Sequence, residues 1–433
     1  MGYMLGSGNL NTSFKLKNIR EQIKDEKFSK KDFTLFFALI AFCFVPSINQ
    51  LIVDNLISGL DNSLLNIAGQ IEWFDLMNES LLAFLIVPLY FVLNKVAKDK
   101  NAFINRVMQL MIIGFTIYGV ASLFVYLYAN SLSSYMGAPD ESIFYLQLET
   151  IGFVLGFVSA FLYVVFVIQG KWRYVVALLI AKVAMLSVGN LILIPEYEVI
   201  GLAGTNIAVN AVLSVVSLIL LWKEKLITNK FRFEKETLKE WGRTGLFSGG
   251  QIFLDNIIYM LIVVMIINEV SSVGIYWLAN NFIWGWLLIP IIALVEIVKR
   301  DYYRGYRRIY NYLIYVTIIA LIWLCSVPLW NIMFIDVIHA QDPDGILNIL
   351  YLLVPFYIAY ALAAIFDGIL ISVGKTWYLF ATSIIINIGY YGIVYSLFLA
   401  GWFSASVDFV IMMFGFGMVL HLIFSILFYL HSK

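Results

Sequence analysis

"GKWRY" at 170–174 returns as "GKTWY" at 374–378, 204 residues later. Carried upstream without a gap, the same offset superimposes Pro139–Asp140 on Pro343–Asp344, so Pro and Gly are 31 residues apart in both halves. Two matched anchors at one spacing indicate an internally duplicated chain. Between them lies a run of apolar residues too long for a strand and long enough to cross a bilayer. Each copy reads as outer loop, helix, inner loop, helix.

Working outward, runs of about twenty apolar residues mark spanning helices. They predict spans at 34–59, 66–94, 104–129, 143–168, 172–195, 201–222, 245–268, 273–298, 309–335, 347–373, 376–400 and 408–430. The expected fold is an all-α membrane protein of twelve transmembrane helices in two pseudo-symmetric six-helix lobes. The segments are a cytoplasmic N-terminal stretch 1–33, an N-lobe 34–222, a cytoplasmic linker 223–244 and a C-lobe 245–433. Because six is even, both lobes enter from the same side, related by a pseudo-two-fold along the membrane normal.

Composition agrees. Of 433 residues, 62% are hydrophobic and 13% charged, the mean hydropathy is +0.88 and the formal charge is zero. A soluble domain needs more polar surface than this. No basic block extends beyond a loop, so nucleic acid is not an expected partner. The charged N-terminus has no cleavable apolar region behind a short basic one and reads as retained. Cys43 and Cys325 lie far apart in apolar runs, without metal-ligand spacing. Neither a phosphate-binding glycine loop nor a nucleophile motif is present, so no enzyme activity is expected. Basic residues accumulate in cytoplasmic loops. With both termini inside, every Lys and Arg except Lys182 falls in an inner segment, whereas "NSLSSYMGAPDES", "PEYEV" and "DVIHAQDPDG" have none.

Against this background the intramembrane acids are conspicuous: Asp54, Glu72, Asp75, Glu79, Glu149, Asp255 and Asp367. A charge at bilayer depth is costly and usually faces a cavity or a partner. Asp54 sits in "PSINQLIVDNLISG" (46–59), with Asn49, Gln50 and Asn55 around it. "NQLIVDN" (49–55) is echoed by "GQIFLDN" (250–256), so each lobe opens on a helix with one acid, Asp54 or Asp255. Glu72, Asp75 and Glu79 follow i, i+3, i+7 spacing and are expected on one face of helix two. Lys182, on helix five, is a candidate charge partner. Asp54 and Asn190 are both expected in the outer third, the condition for a shared site. His421 and the many Tyr, Trp and Phe of the spans are read as packing.

The pattern resembles the multidrug and toxic compound extrusion (MATE) family of the multidrug/oligosaccharidyl-lipid/polysaccharide flippase superfamily. "VDNLISG" is similar to that family's first-helix Asp with Gly five residues on. "MGAPDESIFYLQLETIG" resembles its loop into helix four. "VGNLILIP" with "GLAGTNIAV" resembles its helix-five Asn and its entry to helix six. The resemblance implies a coupling-ion site at Asp54 and Asn190; Glu79 and Asp75 are further candidates from their place among the intramembrane acids. It also implies a substrate or second cation site at Asp255, Asp367 and Tyr360. Ile194 and Val209 stand where the family places an acid and a Thr.

The resulting expectation is an antiporter that exports organic, cationic compounds by alternating access in exchange for protons or sodium. It would be a monomer in the cell (inner or plasma) membrane, with no cofactor and no resident metal. The alternative is a lipid-linked oligosaccharide or polysaccharide flippase of the same superfamily; a third class is a scaffold or channel without coupled transport.

Overall fold

The computed structural model describes residues 28–59, 61–228, 232–270, 272–303, 305–375 and 377–432. The expected N-terminal stretch therefore lies, up to residue 27, outside the described residues. Among the described residues all regular structure is helical. In lipid, a backbone must satisfy its own hydrogen bonds, and helices do so within one segment.

The spans are α1 (Lys30–Ser58), α2 (Asn62–Gly69, Ile71–Leu85 and Val87–Asn94), α3 (Lys100–Leu127) and α4 (Ser142–Ile168). Next come α5 and α6, the legs of Trp172–Lys223 before and after Glu198, and α7 (Lys235–Ile258, continued to Glu269). The series closes with α8 (Val273–Phe282, Ile283–Leu287, Ile289–Tyr303), α9 (Ile309–Ile332, Met333–Val337), α10 (Pro343–Ser372), α11 (Trp377–Ile384, Ile385–Tyr391, Gly392–Leu399) and α12 (Val407–Ser432).

Among the described residues, ten helices are long and apolar enough to cross a membrane, or eleven when the α8 pair bent by 47° counts as one span. Residues 173–223 enter that number once, yet they reverse at Glu198, where φ is 54° and ψ −135°. Beyond it the chain returns alongside itself, with Gly189 facing Thr205 and a Cβ on Gly201 only 2.2 Å from the Leu193 carbonyl oxygen. Separating α5 from α6 in this way restores the alternation that the basic loops require. The chain is a multi-pass membrane protein.

Its two halves repeat one another. α1 packs on α8 and α7 packs on α2, so exchanging the halves maps one pair onto the other. Likewise α4 packs on α6, and α10 on α12. The duplicated pentapeptide turns out to be a helix terminator. Gly170 and Gly374 hold φ of 70° and 75°. Lys171 N–H then bonds the Phe166 carbonyl at 2.8 Å, and Lys375 N–H bonds the Leu370 carbonyl at 2.9 Å. This is the left-handed glycine cap of a helix C-terminus, used at the same place in each half. Each following lysine ties down the end of the half: Lys171 Nζ lies 2.8 Å from Glu224, and Lys375 Nζ donates to the Ser432 carbonyl at 2.7 Å. Glu224 lies outside the spans, and its hydrogen bonds from Lys171 and Tyr174 hold its carboxyl below the usual range. What that carboxylate contributes is present at neutral pH and is lost as pH falls through its folded value.

A Cβ at either glycine meets no neighbour, so the cost of substitution is backbone strain alone. Gly170→Ala and Gly374→Ala should each destabilise by about 1 kcal/mol, with equal and additive shifts in thermal unfolding. A large effect at one site only would contradict the equivalence of the halves.

The linker is shorter than expected. α7 begins at Lys235 rather than 245, and its first turns pack on the N-lobe. Trp241 donates its indole N–H to the Leu85 carbonyl at 3.0 Å within an N-lobe core that includes Phe157 and Phe161. Gln109 on α3 brackets Glu234, donating to its carbonyl at 3.0 Å and accepting from its N–H at 3.1 Å. The helix is therefore physically anchored to the N-lobe before it enters the C-lobe.

Both ends of the molecule carry bonds between the halves. At the end expected to be outer, Asn55 donates to the Val337 carbonyl at 2.5 Å, and Ser58 Oγ to the Ile338 carbonyl at 2.5 Å. Gln70 Nε2 donates to Asn268 Oδ1 at 2.9 Å, and Gly274 N–H to Asn66 Oδ1 at 3.0 Å. At the opposite end, Asp32 accepts from Arg300 at 2.6 Å and Arg308 at 3.1 Å. Ser134 and Gln341 lie exposed beside the outer seam. With Cys43 and Cys325 replaced by Ala, Ser134→Cys and Gln341→Cys should react with an impermeant maleimide in intact cells. Reaction only after permeabilisation would invert the assigned orientation.

Candidate functional site

A cavity of about 510 Å³ opens against the C-lobe. Its walls include Glu72, Glu79, Asp255, Asn256, Asn280, Asn387 and His421, with the rings of Tyr259, Trp284, Tyr357, Tyr360, Tyr391 and Phe414. No Lys or Arg lines it. Three of the π-helical turns, Tyr259–Val264, Ile283–Leu287 and Ile385–Tyr391, supply lining residues. A π turn inserts one residue into the ladder, rotates the side chains after it and is common at functional sites.

Asp255 accepts from Ser383 Oγ at 2.5 Å and Asn387 Nδ2 at 2.6 Å, both on α11. Asp367 is not in the wall; it accepts from Ser425 at 2.7 Å and lies 2.7 Å from His421 Nε2, so it reaches the cavity through the imidazole. His421, expected to be packing, is thus an ionisable member of the site. Its signal was a histidine in an apolar span with an acid on α10, a partner that only tertiary contact identifies. Tyr360 lines the cavity one ring from Trp284, 5.7 Å between centroids.

Helix two does not present its three acids to one side. Glu72 and Glu79 face the cavity, whereas Asp75 is absent from its lining. The charges that interact with Asp75 include Lys182, and Asp75 itself acts on Tyr145 and Glu149 inside the N-lobe. Glu79, expected in an N-lobe coupling site, instead accepts from Asn256 of α7 at 3.0 Å. At about 100° per residue, positions three apart diverge by about 60° while positions seven apart differ by about 20°, so Asp75 leaves the lining that Glu72 and Glu79 share.

Asp54 and Asn190 also part company. Asp54 is 5% exposed and accepts from Gln50 at 2.9 Å and from Asn281 of α8 at 3.1 Å. Asn190, fully buried on α5, donates to Asn49 at 3.2 Å and leaves its Oδ1 without a partner. No hydrogen bond joins Asp54 and Asn190 among the described residues. Residues 49 and 54 are separated by about 140° around a helix, so α1 offers one polar face to α5 and another to α8. The helix-six hydroxyl beside this region is Thr205, packed on Gly189 next to Asn190, rather than a residue at position 209.

The sequence reading also missed a pattern across the lobe interface. Asn256, Asn280 and Asn281 of the C-lobe donate to Glu79, Glu72 and Asp54 at 3.0, 2.8 and 3.1 Å. Three amides meet three carboxyls across the lobe interface, with no Lys or Arg among them. The adjacent pair Asn280–Asn281 in an apolar run was the available signal. Among the described residues no group of three or more His, Cys, Asp or Glu is placed to hold a metal ion.

By sequence, the chain matches no family model and no curated protein. By structure it matches many chains. An inward-facing multidrug resistance MATE family transporter of the MOP superfamily aligns with a TM-score of 0.75 at 17% identity, over 89% of this chain and 94% of that one. The fold is that of the MATE transporters. A mutant of the Vibrio cholerae MATE transporter VcmN gives 0.66 at 15% identity, over 93% and 96% of the two chains. A MOP superfamily transporter from Pyrococcus furiosus, described as having a binding pocket of reversed polarity, gives 0.65 at 17%, over 94% and 98%. An outward-facing MATE transporter gives 0.64 at 17% identity.

Proposed function

We propose that the protein is a secondary active transporter that exports organic cations in exchange for protons or sodium by alternating access. The observation that carries this reading is the cavity: three carboxylates and six aromatic rings, without a Lys or Arg. Its volume suits a drug-sized molecule. Aromatic faces and acids in a low-dielectric site favour a lipophilic cation. A flippase for pyrophosphate-linked sugars would need basic partners for phosphate, and Lys182, whose charge acts on Asp75, does not line the cavity.

The Asn–carboxyl bonds suggest how ion and cargo are coupled. A hydrogen bond to an ionised carboxylate contributes about 1.5–3 kcal/mol, against about 0.5–1.5 for a neutral pair. Protonating Asp54, Glu72 or Glu79 would therefore weaken a lobe-to-lobe bond by about 1 kcal/mol each, and cation binding at Glu72 or Glu79 would compete for the same oxygens. A few such changes suffice to shift a two-state equilibrium. Asn190, Asp75, Asp255, Asp367 and Tyr360 complete the proposed ion and substrate sites. The protein would act as a monomer in the cell membrane, with both termini cytoplasmic and no resident cofactor.

Liposomes with imposed proton or sodium gradients test this. A cationic dye should be moved, and Asp255→Asn should weaken its binding about 10- to 100-fold, the loss of one charged contact of about 1.5–3 kcal/mol. Translocation of a labelled polyprenyl-pyrophosphate sugar without any response to the cation would overturn the reading in favour of the flippase.

A further inference from the structure

The N-lobe contains an acid that neither the cavity nor the lobe interface uses. Glu149 lies in the first third of α4 and is 0% exposed. One carboxyl oxygen accepts from Asn206 Nδ2 of α6 at 2.8 Å. The other, Oε2, is buried and has no hydrogen-bond partner. One turn away on the same helix face, Tyr145 Oη is also fully buried and unpartnered. The site is tightly closed: a Cβ on Gly152 would already touch the α6 backbone at 3.6 Å, and Phe74 stacks on Phe153 at 4.9 Å.

Charge makes the arrangement stranger. The charge acting on Glu149 is that of Asp75 from α2, and Glu149 and Asp75 both act on Tyr145; from α6, Glu149 receives the neutral amide of Asn206. Lys182 of α5 acts on Asp75, and no salt bridge reaches Glu149 among the described residues. An ionised carboxylate with a bare oxygen, sealed from water and facing another acid, carries a penalty of several kcal/mol. A carboxylic acid removes that penalty. Its carbonyl oxygen still accepts from Asn206, and a proton on Oε2 leaves no charge to be buried; Oε2 and Tyr145 Oη, each unpartnered, do not bond each other.

We propose that Glu149 is a proton-binding site of the N-lobe, separate from Asp54, and is occupied in this conformation. A sodium ion would need several converging oxygens, whereas this pocket offers one free carboxyl oxygen and one phenol. That the proton is exchanged during transport rests on the function proposed above; that it is bound does not.

Infrared spectroscopy of the full-length protein in liposomes separates the two. At neutral pH the wild type should have a carboxylic-acid C=O band that shifts in D2O. Glu149→Gln, which keeps an acceptor for Asn206, should remove the intensity of one carboxyl. Asn206→Leu, which strips the hydrogen bond from the carbonyl, should move the same band to higher frequency and serves if the first variant does not fold. A flat difference spectrum for both variants overturns the proposal, and so does a band that disappears on adding sodium at fixed pH. Substrate-triggered proton release should fall by one proton per cycle in Glu149→Gln. If the bands behave as expected but wild type releases no proton with any cation tested, the antiport reading fails and the bound proton stands.

Discussion

Asp54→Asn is expected to insert and fold normally while gradient-driven accumulation of substrate falls to a ratio of about 1, the value set by passive equilibration. The fold survives because an amide oxygen can accept the same bonds, 2.9 Å from Gln50 and 3.1 Å from Asn281. Coupling does not survive, because an amide has no charge to lose and its bond across the lobe interface stops responding to the ion gradient. A ligand that cannot discriminate two states shifts neither, however well it binds. Asn281→Leu should give a milder defect, since Asp54 keeps its titration and its Gln50 contact but loses the reporter on α8. Dye accumulation in proteoliposomes under a proton or sodium gradient, with dye binding measured separately, distinguishes the cases. Normal accumulation by Asp54→Asn would reduce this residue to helix packing and transfer the coupling role to Glu72, Glu79 and Asp255.

Gly274→Leu should open the outer seam. Gly274 at the start of α8 faces Gly69 of α2, and a Cβ there would lie 2.8 Å from Leu65 Cγ and 2.9 Å from its backbone carbon. Backbone on one side leaves nothing to yield except the separation of the halves. Overpacking of this kind costs about 1–3 kcal/mol. If that cost falls only on the conformation with a closed seam, the equilibrium moves about 5- to 150-fold toward the opposite one. The reporter is Ser58→Cys in a background lacking Cys43 and Cys325. Ser58 is 2% exposed and bonded to the Ile338 carbonyl, so its cysteine should resist an impermeant maleimide when Gly274 is intact and react when it is Leu. Unchanged protection in a folded variant would mean that the seam is a static contact and does not open.

Some of this molecule was written into the chain as local properties. The all-helical, multi-pass character and the doubling follow from apolar length and from the Gly-Lys turns at Gly170 and Gly374. Each acts within a few residues, so no knowledge of neighbours is needed. Facing is different. Helices such as α10 and α12 are apolar all round, and without a polar stripe the sequence does not say which side meets a partner. Glu72, Asp75 and Glu79 share the unbroken segment Ile71–Leu85, yet Asp75 is turned about 60° from Glu72, and only Glu72 and Glu79 line the cavity. Only tertiary packing joined Asp54 to Asn281 instead of Asn190, gave Asp367 its contact with His421, and closed α4 and α6 over Glu149. The reason is physical: the depth of a side chain is set by its place along one helix, but its environment is set by the rotation of several.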